Sequence, residues 1–356
     1  MQSNRVMIND SLYIEDLNNC LNSVANLDGL RDKTVLITGA TGMIGSFIVD
    51  ALMHGNVTQN LNCSVVTMGR SQEKAHKRFS AYMGDGRFLF VEHDINKPMS
   101  EKLPTIDFII HSASTTHPVA YATEPISTIT TNIFGTYHLL HYLSNHSPKA
   151  RFVLTSSVEI YGQNRGDVEY FDETYSGYID CNTLRAGYPE SKRLSEALCQ
   201  AFVTEKDIDY VSARLPRTYG PTMLMSDTKA LSQFIMKGLN GEDIVLKSQG
   251  NQFFSYAYVA DAASAVLSIM LAGAKGEAYN IADSQSDISL KDLAQLVATA
   301  SGTQLRFELP DRVEMAGFST ATKAVMDSTR LQRLGWSPCY NIEFGIYRTL
   351  QLLALR

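Results

Sequence analysis

Residues 36–52 read LITGATGMIGSFIVDAL. A short apolar run ends at three glycines, Gly39, Gly42 and Gly45, and an apolar helical pattern sets in from Met43. The spacing is G-x-x-G-x-x-G rather than the commoner G-x-G-x-x-G, but the physical need is similar. One glycine makes the tight turn, one lets the backbone approach a pyrophosphate, and one lets the helix pack close to the sheet. The helix start behind the loop offers free N–H groups to phosphate. Strand, glycine turn and helix in the first βα unit predict a dinucleotide site. Gly39, Thr41, Gly42, Met43, Ile44 and Gly45 are its candidate residues.

Working outward, TVLIT (34–38), SVVTM (64–68), FLFVEHD (88–94), DFIIHSAS (107–114), RFVLTSS (151–157) and YVSARL (210–215) read as strands. Helical patterns lie between them, at about 43–53, through Asn132 and Leu143, and at about 185–203. This alternation predicts an α/β fold, a Rossmann-type doubly wound parallel sheet, with a smaller C-terminal substrate lobe. The expected divisions are a helical extension over 1–32, a dinucleotide-binding domain over 33–214 to which 253–282 returns, and the smaller lobe over 215–356. Leu12, Ile14, Leu17, Leu21 and Val24 give the extension its helical spacing. Ser289 is the expected cap of a helix in ISLKDLAQLVATAS.

The chain has 356 residues, 44% hydrophobic and 19% charged, which suits a globular protein with a substantial core. A formal net charge of −6 without a long basic run argues against a nucleic-acid partner. No apolar stretch reaches the length needed to span a membrane, and the start lacks the apolar core of a signal peptide, so a cytoplasmic location is expected. The five cysteines are scattered and read as reduced. His138 and His141 lie one helical turn apart, but nothing nearby completes a metal set, and no metal is expected.

The second strand ends in MGRS. Gly69 stands where an acid would hold the ribose 2′-hydroxyl of NAD, and Arg70 follows. A missing carboxylate and an available guanidinium favour NADP(H), with NAD(H) as the alternative. Asp94 and Ile95 close the third strand as candidate adenine contacts.

Tyr188-Pro-Glu-Ser-Lys192 gives Y-x-x-x-K, which puts Tyr188 and Lys192 on one helix face. A nearby ammonium stabilises a phenolate, so Lys192 is expected to lower the Tyr188 pKa. A serine from the end of the fifth strand can hydrogen-bond the substrate oxygen.

Together TGATGMIG, HSAS, the Asn132 of TNIFGT, SSVEIYG, YPESK and RTYGP resemble the extended short-chain dehydrogenase/reductase family over roughly residues 33–350. ASTTHPVAYATEPISTITTN, LRAGYPESKR and GPTMLMSDTKALSQFI look most like its UDP-glucuronate decarboxylase branch. The resemblance implies that Tyr188 is the acid/base, Lys192 a cofactor ligand and Ser157 the catalytic hydroxyl. It implies that Glu159 is a carboxylate beside the sugar, and that Ser112, Ala113, Ser114 and Asn132 lie at the cofactor, with Ser114 also at the substrate. It further implies a homodimer through helices near 118–143 and 185–203.

Three positions depart from the family pattern. Val158 stands where dehydratases of the dTDP-glucose type carry an Asp, and it cannot donate a proton. Phe254 stands seven residues before Asp261, where relatives have a phosphate-gripping Arg. Arg217 stands where relatives have an Asn, as a candidate replacement for the lost phosphate charge; the alternative is a structural salt bridge. Lys229 and Arg312 are further phosphate candidates.

The expected substrate is a nucleotide-activated sugar or a ketose. One outcome is an internal oxidation and reduction that epimerises, dehydrates or decarboxylates a nucleotide sugar. The alternative is NADPH-dependent reduction of a keto sugar or ketose. A non-catalytic dinucleotide sensor is a third reading, opposed by the presence of both Tyr188 and Lys192.

Overall fold

A computed structural model describes residues 7–99, 103–116, 121, 123–308 and 322–355. Its strands are β1 (Thr34–Thr38), β2 (Ser64–Gly69), β3 (Phe88–Glu92), β4 (Phe108–His111), β5 (Arg151–Ser157), β6 (Asp209–Leu215), β7 (Arg217–Tyr219), β8 (Ile244–Leu246), β9 (Phe253–Tyr258), β10 (Ala278–Asn280), β11 (Asp287–Ser289), β12 (Leu305–Phe307) and β13 (Lys323–Ala324). Seven of them form one sheet in the order β10-β6-β5-β4-β1-β2-β3, and every pairing in it is parallel. Helices cover both faces, so the strands read as continuous apolar runs: Val35, Leu36 and Ile37 of β1 are all fully buried.

The chain leaves β1 towards β2 on one side and reaches β4 on the other. That reversal opens a crevice at the carboxyl ends of the strands, where ligands of such sheets bind. The helix after the glycine turn runs Met43–Thr58, longer than its expected end near Met53. Asn56 explains the extra turn. Its amide donates to Cys63 O at 2.8 Å and its Oδ1 accepts from Cys63 N at 2.7 Å, tying the helix end to the start of β2.

The smaller lobe is built on β9, which pairs with β11 and β13 and with β7. β9 thus stands outside the large sheet, whereas the helix that follows it, Val259–Ala272, packs on β5 and β6, and β10 takes the sheet edge beside β6. The Ala230–Leu239 and Leu290–Ser301 helices pack together beside β8. Ser289 caps the latter by accepting from Asp292 N at 3.0 Å.

The N-terminal helix is Ser11–Asn22, capped by Asp10, which accepts from Leu12 N at 2.9 Å. Its inner face carries two polar anchors as well as Leu17 and Leu21. Tyr13 donates to Asp50 at 2.6 Å, and Asp50 is also held by Arg78 and by Tyr82 at 3.0 Å. Asp16, fully buried, accepts from Tyr258 at 2.5 Å and Arg348 at 2.7 Å. Each buried carboxylate is therefore paired, as burial requires. Among the described residues no helix is long and apolar enough to cross a membrane.

Candidate active site

The glycine loop fits a dinucleotide. Gly39 has φ +66°, and a Cβ there would lie 2.6 Å from the backbone of Ser112 and Ala113, so β1 and the β4 end meet only because a side chain is missing. A Cβ at Gly45 would lie 2.6 Å from Gly39 O, which makes it the close-packing glycine. A Cβ at Gly42 would meet only Gly39 O, at 3.2 Å, leaving its outer side open. Gly42 is also the helix cap and offers no side-chain acceptor, so the first N–H groups of Met43–Thr58 face the crevice.

From this loop a cleft of about 1660 Å³ runs past the ends of β4, β5 and β6 to the smaller lobe. Thr41, Met43, Ile44, Arg70, Asp94, Ile95, Ser112, Ala113, Ser114, Ser157, Glu159, Tyr188, Lys192, Arg217, Lys229 and Phe254 all line it. Arg312 lies outside the described residues. Asn132 sits behind the wall. It accepts from Ser114 Oγ at 2.7 Å and donates to Ser191 Oγ at 2.8 Å, and Ser191 in turn donates to Tyr188 O at 2.8 Å. It thereby ties the β4 end to the helix Gly187–Lys206, which carries the Y-x-x-x-K motif.

Ser157 ends β5, and its Oγ accepts from Glu159 N at 3.2 Å, starting the short turn Val158–Tyr161. That turn brings Glu159 beside the helix carrying Tyr188, and Ser157 and Glu159 both lie close enough to act on the Tyr188 phenol. Here the structure differs from the sequence expectation. The Tyr188 pKa is pushed up, first by burial and then by the Glu159 charge, while Ser157 and Arg185 act the other way. Lys192 is turned away, donating to Thr155 O at 2.8 Å, and burial draws its own pKa down to about 8. His111, beneath, is drawn down to about 3 by burial and the Lys192 charge, and its Nδ1 meets Thr38 Oγ1 at 2.8 Å.

Two residues of this wall had not been singled out in the sequence. Arg185 donates to Glu159 at 3.2 Å, and its guanidinium lies 5.0 Å from the Tyr121 ring centre. Tyr121 stacks on Tyr188 at 4.9 Å and leaves the catalytic-motif phenol 6% exposed. Helical periodicity alone does not mark either as a site residue, so only the LRAGYPESKR and ASTTHPVAYATEP matches could have drawn attention to them.

Lys229 is paired with Asp227 at 2.9 Å. Arg217 lies flat on Phe254, 3.4 Å from the ring centre, and makes no salt bridge among the described residues. Four buried polar atoms of cleft residues, Asn96 Oδ1, Ser156 Oγ, Arg217 Nη1 and Gln252 Oε1, have no hydrogen-bond partner among the described residues. At the other end, the exposed Arg70, Lys74 and Lys77 line the cleft beside Gly69. Asp94 there accepts from Asn96 N at 3.1 Å and Nδ2 at 3.0 Å. Among the described residues no group of three or more His, Cys, Asp or Glu could hold a metal.

The profile of the NAD dependent epimerase/dehydratase family matches residues 35–282. UDP-glucuronic acid decarboxylase 1 of Danio rerio is 30% identical over 321 residues, spanning 90% of this chain and 72% of that protein. UDP-glucuronic acid decarboxylase 3 of Arabidopsis thaliana is 28% identical over 312 residues, spanning 88% and 86%. In fold, the chain is similar to the dTDP-glucose 4,6-dehydratase DesIV of Streptomyces venezuelae, solved with NAD bound, with a TM-score of 0.76 over 90% of this chain and 96% of that one at 22% identity.

Proposed function

The chain belongs to the NAD dependent epimerase/dehydratase family, enzymes of the extended short-chain dehydrogenase/reductase type, and on that premise we propose that it remodels the sugar of a nucleotide sugar in an internal oxidation and reduction. The observation that carries this reading is the convergence of Ser157, Glu159 and Tyr188 on one wall of the cleft that begins at the glycine loop. A bound nicotinamide supplies the hydride acceptor and donor. The protein supplies orientation and proton transfer. Ser157 holds the reacting sugar oxygen, and Tyr188 takes its proton as the phenolate and returns it as the phenol. Lys192 holds the cofactor ribose. Glu159 anchors a second hydroxyl or moves a second proton. Tyr121 keeps water off the phenol by covering its ring.

UDP-glucuronate is the first substrate to offer, because the curated relatives are named as its decarboxylases. The purified chain would receive UDP-glucuronate, UDP-glucose or dTDP-glucose with catalytic NAD⁺ or NADP⁺. A product of changed mass or configuration, without net reduced nicotinamide, is the expected result. Conversion of none of the three overturns the reading.

A second reading, consumption of NADPH to reduce a keto sugar or ketose, is favoured by one feature. No carboxylate ends β2, and Arg70, Lys74 and Lys77 stand at that corner. Stoichiometric loss of NADPH with a two-hydrogen gain in mass would select it. The same corner supports a preference for NADP(H) over NAD(H). A homodimer is also proposed. The helices Pro125–His146 and Gly187–Lys206 pack together and leave Ile126, Phe134, Tyr137 and Leu194 exposed.

A further inference from the structure

The substrate end of the cleft holds more cationic charge than its own carboxylates answer. Glu159 is engaged by Arg185, and Asp227 by Lys229. Arg217 lines the same wall with no ion pair among the described residues, and its Nη1 is buried without a hydrogen-bond partner. A guanidinium so placed is desolvated, and burial and the neighbouring Arg185 both act against its charge while Tyr256 and Glu159 support it. Arg185 and Arg217 against Glu159 leave one positive unit without a counter-ion.

The side chain is also held in place. β7 pairs with β9 so that Arg217 faces Tyr256, which fixes the root of the side chain. Phe254 then fixes its plane by stacking under the guanidinium. With one face covered, the N–H edge is what remains for a partner, and that edge matches the geometry of an oxyanion.

We propose that Arg217, steadied by Phe254 and flanked by Arg185, is a subsite for an oxyanion of the substrate, either a phosphate oxygen of the nucleotide diphosphate or a carboxylate on the sugar. The proposal rests on the nucleotide-sugar reading above and specifies which side chains take the anion. Both sources offer the same planar, charge-assisted recognition.

The test is calorimetric titration of the full chain and its Arg217→Gln variant with UDP, UDP-glucose and UDP-glucuronate. Affinity is expected to fall on the order of 10- to 100-fold. A loss shared by all three ligands assigns the subsite to the diphosphate; a loss confined to UDP-glucuronate assigns it to the sugar carboxylate. Unchanged affinity for all three in a variant with the wild-type melting temperature overturns the proposal. Should Arg217→Gln not fold, Phe254→Leu keeps the charge but releases its plane; a smaller loss is then expected, and unchanged affinity overturns the proposal. If the wild-type chain binds none of the three, the nucleotide-sugar reading fails along with the subsite.

Discussion

Single positions carry the most direct tests. Gly39→Ala would force a Cβ to within 2.6 Å of the backbone of Ser112 and Ala113 at a φ of +66°. It is expected to lose dinucleotide binding by fluorescence titration and to be less stable by more than about 1 kcal/mol. Tyr188→Phe is expected to lower kcat by about 10²- to 10⁴-fold while substrate affinity holds. Lys192 gives a pH signature. Burial draws its pKa from 10.5 to about 8, so the folded chain releases a proton that the unfolded chain keeps across that window. Wild-type stability should therefore rise between about pH 8 and 10.5, with the full penalty present below pH 8. In urea melts, the stability of Lys192→Met relative to wild type should fall by about 3 kcal/mol from pH 7 to 10.5; a flat difference would mean that the ammonium is not buried. The motif spacing made it legible that Tyr188 and Lys192 share a face. It was not legible that Lys192 would turn to Thr155 O, because that acceptor comes from a strand 37 residues earlier.

Elements were read well where their burial follows a simple period. The six strands through Leu215 each carry a short apolar stretch, such as residues 35–37 of β1 and 108–110 of β4, and Ser289 announces its helix by capping chemistry. The N-terminal helix was legible from Leu12, Leu17 and Leu21, yet what fastens it was not. Asp16 finds its partners Tyr258 and Arg348 at separations of 242 and 332 residues, beyond any local pattern. Asp16→Ala would leave Arg348 buried without that carboxylate, and is expected to cost about 3–5 kcal/mol in denaturant melts. A loss below about 1 kcal/mol would show that the helix is held by its apolar face alone.

On the scale of the whole molecule, alternation of strand and helix in the sequence foretold a parallel sheet, which the chain rejoins through the helix Val259–Ala272 and β10. The sheet that β9 joins was not legible, since an apolar strand of six residues does not say which sheet it will join. Assembly belongs to this scale. Leu194 is 50% exposed on the paired helices; on the homodimer proposed above, Leu194→Glu is expected to halve the apparent mass in light scattering while the melting temperature of the monomer stays readable, and an unchanged mass would sink that proposal. The paired carboxylates of the N-terminal helix also bear on biogenesis. The helix Ser11–Asn22 is fastened in stages as the chain is made: Tyr13 meets Asp50 after 37 residues, Asp16 meets Tyr258 after 242, and Arg348 follows Asp16 only after 332. At about 5–20 residues per second that interval lasts on the order of tens of seconds. Throughout it Asp16 lacks its cationic partner, even once the helices Met43–Thr58 and Val259–Ala272 have covered the apolar stripe, so the arrival of Arg348 is the step that neutralises a carboxylate already being withdrawn from water.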